Sequence, residues 1–127
     1  MGRHAFMLRL KADAIDEYER THRAVWPELL AEIKDAGISQ YSIFRRGQEL
    51  FLFMHVDDFD KAWDRLAQGP ANQRWQKEMA RFFEPVPGQT PGERFAMMKE
   101  IFYLDRGTSR LPQSVGGTAV RDQSFFG

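Results

Sequence analysis

Two hydrophobic periods alternate along this chain, and their order predicts its fold. Residues 4–10 alternate loosely and carry Phe6, Met7, Leu8 and Leu10, as a half-buried first strand does. From residue 14 to 36 the apolar and aromatic positions recur at helical spacing, Ile15, Tyr18 and His22, then Leu29, Leu30 and Ile33. Asp13 is placed to cap the start of this stretch, and Gly37 stands where a helix would stop. Pro27 divides it into two helical pieces, because proline has no amide proton for an internal helical bond but is tolerated in a first turn. Residues 38–45 and 50–56 read as two strands joined by the short loop Arg46, Gly47, Gln48. Residues 59–67, containing Trp63, and 72–83, containing Trp75 and Met79, have the spacing of amphipathic helices. Residues 85–92 form a loop rich in proline and glycine, and residues 99–104 read as a last strand.

The resulting order, βαββαβ with the second helical region split, is the split βαβ or ferredoxin-like arrangement of an α+β protein. A four-stranded sheet with helices on one face leaves its other face in need of cover, so a homodimer is expected. The 127 residues and 43% hydrophobic content suit one domain with a real core. That domain is expected to span residues 1–105. Residues 106–127 form a C-terminal extension with the Gly, Ser, Thr and Gln content of a flexible tail until Phe125 and Phe126. Packing is expected to hold this extension, with a partner subunit as one candidate surface.

Charge and cysteine content narrow the function. Lys plus Arg and Asp plus Glu number 18 each, so no net field would draw a polyanion or an anionic membrane, and neither nucleic acid nor membrane is an expected partner. The absence of cysteine removes disulfides, thiolate metal sites and a cysteine nucleophile. The first ten residues lack the apolar run of a signal peptide, and no stretch approaches a membrane span, so a cytoplasmic location is expected.

His4, His22 and His55 show no metal-ligand spacing, and no metal site is expected. His22 stands out because Tyr18 lies one helical turn before it, which puts a phenol and an imidazole on one face. An imidazole exchanges protons near neutral pH without large tuning. The competing reading is a structural histidine bonded to a backbone carbonyl. Trp75, beside Arg74, Gln76 and Lys77, has the surroundings of a sugar-stacking plate, where a ring covers C–H bonds and donors meet hydroxyls, but equally suits a core or interface. Trp26, next to Pro27, is expected to pack the joint between the helical pieces. Tyr41 either faces the interior or fills a strand face, and spacing does not choose.

The string Tyr18-x-x-x-His22-x-x-x-Trp26-Pro27-Glu28 resembles the L-rhamnose mutarotases. So do Ala5-Phe6, Glu17, Arg20, Leu29, Gly37, Tyr41-Ser42-Ile43, residues 50–53, Arg74-Trp75 and the closing Glu100-Ile101-Phe102-Tyr103-Leu104. The resemblance runs in order from Met1 to about Asp105. It implies a dimeric α+β barrel and a cofactor-free isomerase that interconverts the α and β anomers of a 6-deoxyhexose, with L-rhamnose first and L-fucose as runner-up. It implies His22 as proton donor, with Tyr18, Tyr41, Trp75 and Gln76 at the monosaccharide. The family places two adjacent tryptophans at the substrate, whereas this chain has Trp75-Gln76, an amide where an aromatic face is expected. Two other classes remain open on the residues: a sugar-binding module without turnover, and a cofactor-free monooxygenase of the same fold.

Overall fold

The computed structural model describes residues 2–106. The expected extension at 106–127, with the expectation that packing holds it, therefore lies outside the described residues apart from Arg106.

Strand β1 (Gly2–Leu10) is followed by helices α1 (Ile15–Thr21) and α2 (Pro27–Asp35), then by the hairpin of β2 (Gln40–Arg46) and β3 (Glu49–Val56). Helices α3 (Phe59–Leu66) and α4 (Pro70–Met79) come next, then a 3₁₀ turn at Ala80–Phe82 and the short strands β4 (Phe83–Glu84) and β5 (Ala96–Met98). The sheet runs β2-β3-β1-β4, with β5 also on β1, and every pairing is antiparallel. This is the ferredoxin-like order, except that two short strands share the fourth position. Glu84 and Phe83 lie opposite Arg9 and Leu10, and residues 96–98 lie opposite residues 5–7.

The pleat decides which side chains meet the helices. Along β3, Leu50, Leu52, Met54 and Val56 are buried and alternate with half-buried Glu49, Phe51, Phe53 and His55. The register places Phe6 opposite Leu52 and Ile43 opposite the same Leu52, so these side chains share the inner face. Against that face pack Leu29, Phe59, Ala62, Leu66, Trp75, Met79 and Phe82. The outer face carries Phe44, 63% exposed, with Phe51 opposite it.

Local chemistry sets the boundaries. The break before Pro27 falls as expected, with proline in the first turn of α2. At its end Gly37 takes φ 94°, and the amides of Gly37 and Ile38 bond back to the carbonyls of Lys34 and Ile33, a Schellman stop. Gly47 opens the hairpin turn at φ 60°, a conformation that disfavours any side chain.

Three expectations are corrected. Asp13 is not the N-cap: a turn closed by the Ala14 amide on the Lys11 carbonyl carries the chain one residue further, so Ala14 takes that position without a side-chain cap. The helix expected over residues 72–83 starts at Pro70 and ends at Met79. The tighter turn after it buries Phe82, whose carbonyl accepts from the Lys11 amide, and releases Phe83 to pair with Leu10. The last strand is Ala96–Met98, not residues 99–104. Glu100 holds Arg3 through two hydrogen bonds of 2.9 and 2.7 Å, but no ladder forms there. Ile101, Phe102 and Leu104 are 89, 79 and 73% exposed, since one chain offers them no surface to cover.

Candidate active site

Tyr18 sits in the last turns of α1, and its buried ring packs edge-on against Phe82 and Phe83. His22 is the C-cap of that helix, and its ring centroid lies 4.2 Å from that of Tyr18. The imidazole is fixed by local geometry. Its Nδ1 lies 2.9 Å from the Tyr18 carbonyl oxygen and 3.0 Å from Thr21 Oγ1, while the Thr21 hydroxyl itself donates to the Tyr18 carbonyl at 2.6 Å. A carbonyl only accepts, so Nδ1 carries the proton and Nε2 is the atom left for chemistry. The carbonyl bond expected of a structural histidine is therefore present, and it sets the tautomer of the ring. Burial lowers the His22 pKa below the ordinary value of about 6.5, opposed in part by the Tyr18 carbonyl bond, so the ring is neutral at pH 7.

Trp75, on α4, closes the other side of His22 at a centroid distance of 5.3 Å and an interplanar angle of 81°. Trp26, the residue before Pro27, packs perpendicular to Trp75 at 5.0 Å, so the packing contact its ring makes is with α4. Tyr41 projects from β2 onto the inner face, in register with Met54. Burial raises the pKa values of both Tyr18 and Tyr41, with the neighbouring Tyr18 a further cause for Tyr41. Both phenols are thus protonated donors at any physiological pH.

These groups meet in one place. Tyr18, His22, Tyr41, Trp75 and Gln76 all line an inner pocket of about 50 Å³, little more than one or two waters in volume, walled also by Trp63, Met79 and Phe95. Tyr18, His22 and Ile43 also line an outer cleft of about 500 Å³, the size of a small-molecule site, edged by Glu19, Arg23 and Arg45. His22 stands at the junction and lines both spaces. The spacing did not point to Trp63, whose buried Nε1–H has no hydrogen-bond partner among the described residues. Nor did it point to the Glu19–Arg45 ion pair, which ties α1 to β2 at the cleft. A third omission is Glu32 on α2, whose carboxylate accepts from the amides of Ala71 and Asn72 at 2.9 and 2.8 Å and so caps α4. Among the described residues no group of His, Cys, Asp and Glu could hold a metal ion, and no helix is long and apolar enough to cross a membrane.

The fold and this pocket define a ferredoxin-like α+β protein that gathers one imidazole and two phenols beside indole walls. The L-rhamnose mutarotase family model matches residues 3–104, and the chain belongs to that family of sugar isomerases. An L-fucose mutarotase of Xanthomonas campestris is 40% identical, the match covering 86% of this chain and 93% of that protein. An L-rhamnose mutarotase of Enterobacter is 37% identical over 83% of this chain and all of that protein. Among solved structures, an L-rhamnose mutarotase of Formosa agariphila superposes with a TM-score of 0.66 at 30% identity, covering 83% of this chain and 100% of that one. Tetracenomycin F2 cyclase of Streptomyces glaucescens shares the fold alone, at a TM-score of 0.56 and 17% identity over 83% of this chain and 98% of that one.

Proposed function

We propose that this chain interconverts the α and β anomers of L-rhamnose, with residues 1–105 carrying the activity. Family membership supports the reaction, and one observation supports the assignment of roles: a neutral imidazole with its Nδ1 proton committed to the Tyr18 carbonyl presents a basic Nε2 at the pocket.

In this reading Nε2 takes the proton from the anomeric hydroxyl, and the imidazolium delivers it to the ring oxygen, on the far side of the same carbon. The C1–ring oxygen bond breaks as the C1 carbonyl forms, giving the open aldehyde. Rotation about C1–C2 and the reverse proton transfer reclose the ring as the other anomer. His22 thus acts as the proton donor of ring opening after acting as a base. Tyr18 and Tyr41, held protonated by burial, donate hydrogen bonds to the sugar oxygens as charge develops on them. Such acid–base assistance contributes roughly 10² to 10⁴ in rate, sufficient for a reaction that already runs in water.

The functional unit in this reading is a homodimer. The exposed Phe44 on the outer sheet face, with Ile101, Phe102 and Leu104, supports a second copy as the cover for that side. L-fucose, the sugar in the name of a 40% identical relative, is the competing substrate. Saturation-transfer NMR between the two anomers of L-rhamnose, L-fucose and ordinary hexoses, with and without protein, tests the proposal. Acceleration greatest for L-rhamnose is expected; binding without acceleration would make the chain a sugar-binding module instead.

A further inference from the structure

Gln76 is exposed yet is among the residues that line the inner pocket, and three hydrogen-bonding groups in series fix how its amide is turned. The series starts at the Leu66 carbonyl near the end of α3. Asn72 is 6% exposed, and its Nδ2 donates to that carbonyl at 3.1 Å. Because a carbonyl oxygen cannot donate, the Asn72 amide has one permitted orientation, with Oδ1 turned away from Leu66. That Oδ1 in turn only accepts, and it receives Gln76 Nε2 at 3.2 Å, one helical turn along α4. The Gln76 amide is therefore fixed as well. Its nitrogen is committed to Asn72, and Oε1 is the end without a partner among the described residues.

We propose that Asn72 is a positioning residue that turns the Gln76 carbonyl oxygen toward the substrate, so that this wall offers a fixed hydrogen-bond acceptor to a sugar hydroxyl. The inference rests on the sugar-isomerase reading above and adds a specificity rule to it. An apolar or aromatic side chain at this point would favour a C–H or methyl face, whereas an oriented carbonyl favours a sugar with a hydroxyl there, and disfavours one without it because the acceptor is left unmatched.

The test is a mutational cycle on the full chain, with KM and kcat for anomer exchange measured by saturation-transfer NMR and folding checked by circular dichroism. Gln76→Leu should raise KM roughly three- to tenfold, the worth of one neutral hydrogen bond, with kcat within about twofold of the wild type. Gln76→Glu should raise KM as well, because Asn72, locked by Leu66, then aims its own oxygen at a carboxylate. Asn72→Leu combined with Gln76→Glu should bring KM back toward the wild-type value, since a carboxylate presents oxygen whichever way it turns. That reversal is a signature that lost packing does not produce. An unchanged KM in Gln76→Leu, or a Gln76→Glu penalty that is the same with and without Asn72, overturns the assignment. If Asn72→Leu does not fold, the two substitutions at exposed Gln76 decide the matter alone. A wild-type chain that accelerates no exchange overturns the functional reading itself, while an active wild type with a silent Gln76→Leu overturns only this inference.

Discussion

His22 is held by the same turn of helix that presents it. The Tyr18 carbonyl fixes the tautomer, Trp75 and Tyr18 flank the ring, and burial keeps it neutral. In the proposed reaction the neutral form is the active one, and its pKa lies below the ordinary 6.5, so activity should be level above neutrality. It should fall as pH drops through that lowered value, and kcat/KM for anomer exchange across pH 4–8 reads this limb directly. A limb at or above 6.5 would show that burial does not govern the ring. The Tyr18–His22 pairing was legible because residues four apart must share a helical face. Asn72 was not, because a buried asparagine within the polar run Asn72-Gln73-Arg74 looks like surface until α3 supplies the Leu66 carbonyl. Tyr41 was undecided for a related reason: the inner and outer faces of β2 both carry apolar side chains, so alternation gives no sign of which is covered.

At the scale of elements, the position of α4 relative to α2 determines where Trp75 and Gln76 stand. Glu32 makes that connection by capping α4 from α2, and Gly69 leaves room for it, since a Cβ there would lie 2.2 Å from Glu32 Oε1. Glu32→Ala should therefore cost about 1–2 kcal/mol, read as a fall of several degrees in Tm by circular dichroism. An unchanged Tm would mean that α4 is held by packing alone. Such a cap across 39 residues of sequence has no local signature, unlike the cap read at Asp13, which a single turn displaced. The hairpin and the Pro27 break were readable because glycine takes the positive φ that a tight turn needs and proline forbids an internal helical bond.

The whole molecule follows from the order of its elements. The sheet order was legible because each short connection leaves few ways to close a right-handed split βαβ. The strand expected at residues 99–104 was misplaced because its apolar residues read as buried, while a single chain leaves Ile101, Phe102 and Leu104 in solvent. If a second copy covers this segment and the outer sheet face, sedimentation should give a dimer at micromolar concentration. Phe44→Glu should then shift the chain toward monomer, and a stable wild-type monomer would remove the dimer from the account. The central claim is that one nitrogen of His22 moves the proton between two oxygens of the sugar, and anomer exchange in His22→Ala tests it most directly. The account predicts a folded protein whose acceleration falls by roughly 10² to 10⁴ and whose remaining rate lacks the acid limb. A folded His22→Ala protein exchanging anomers at the wild-type rate would contradict it.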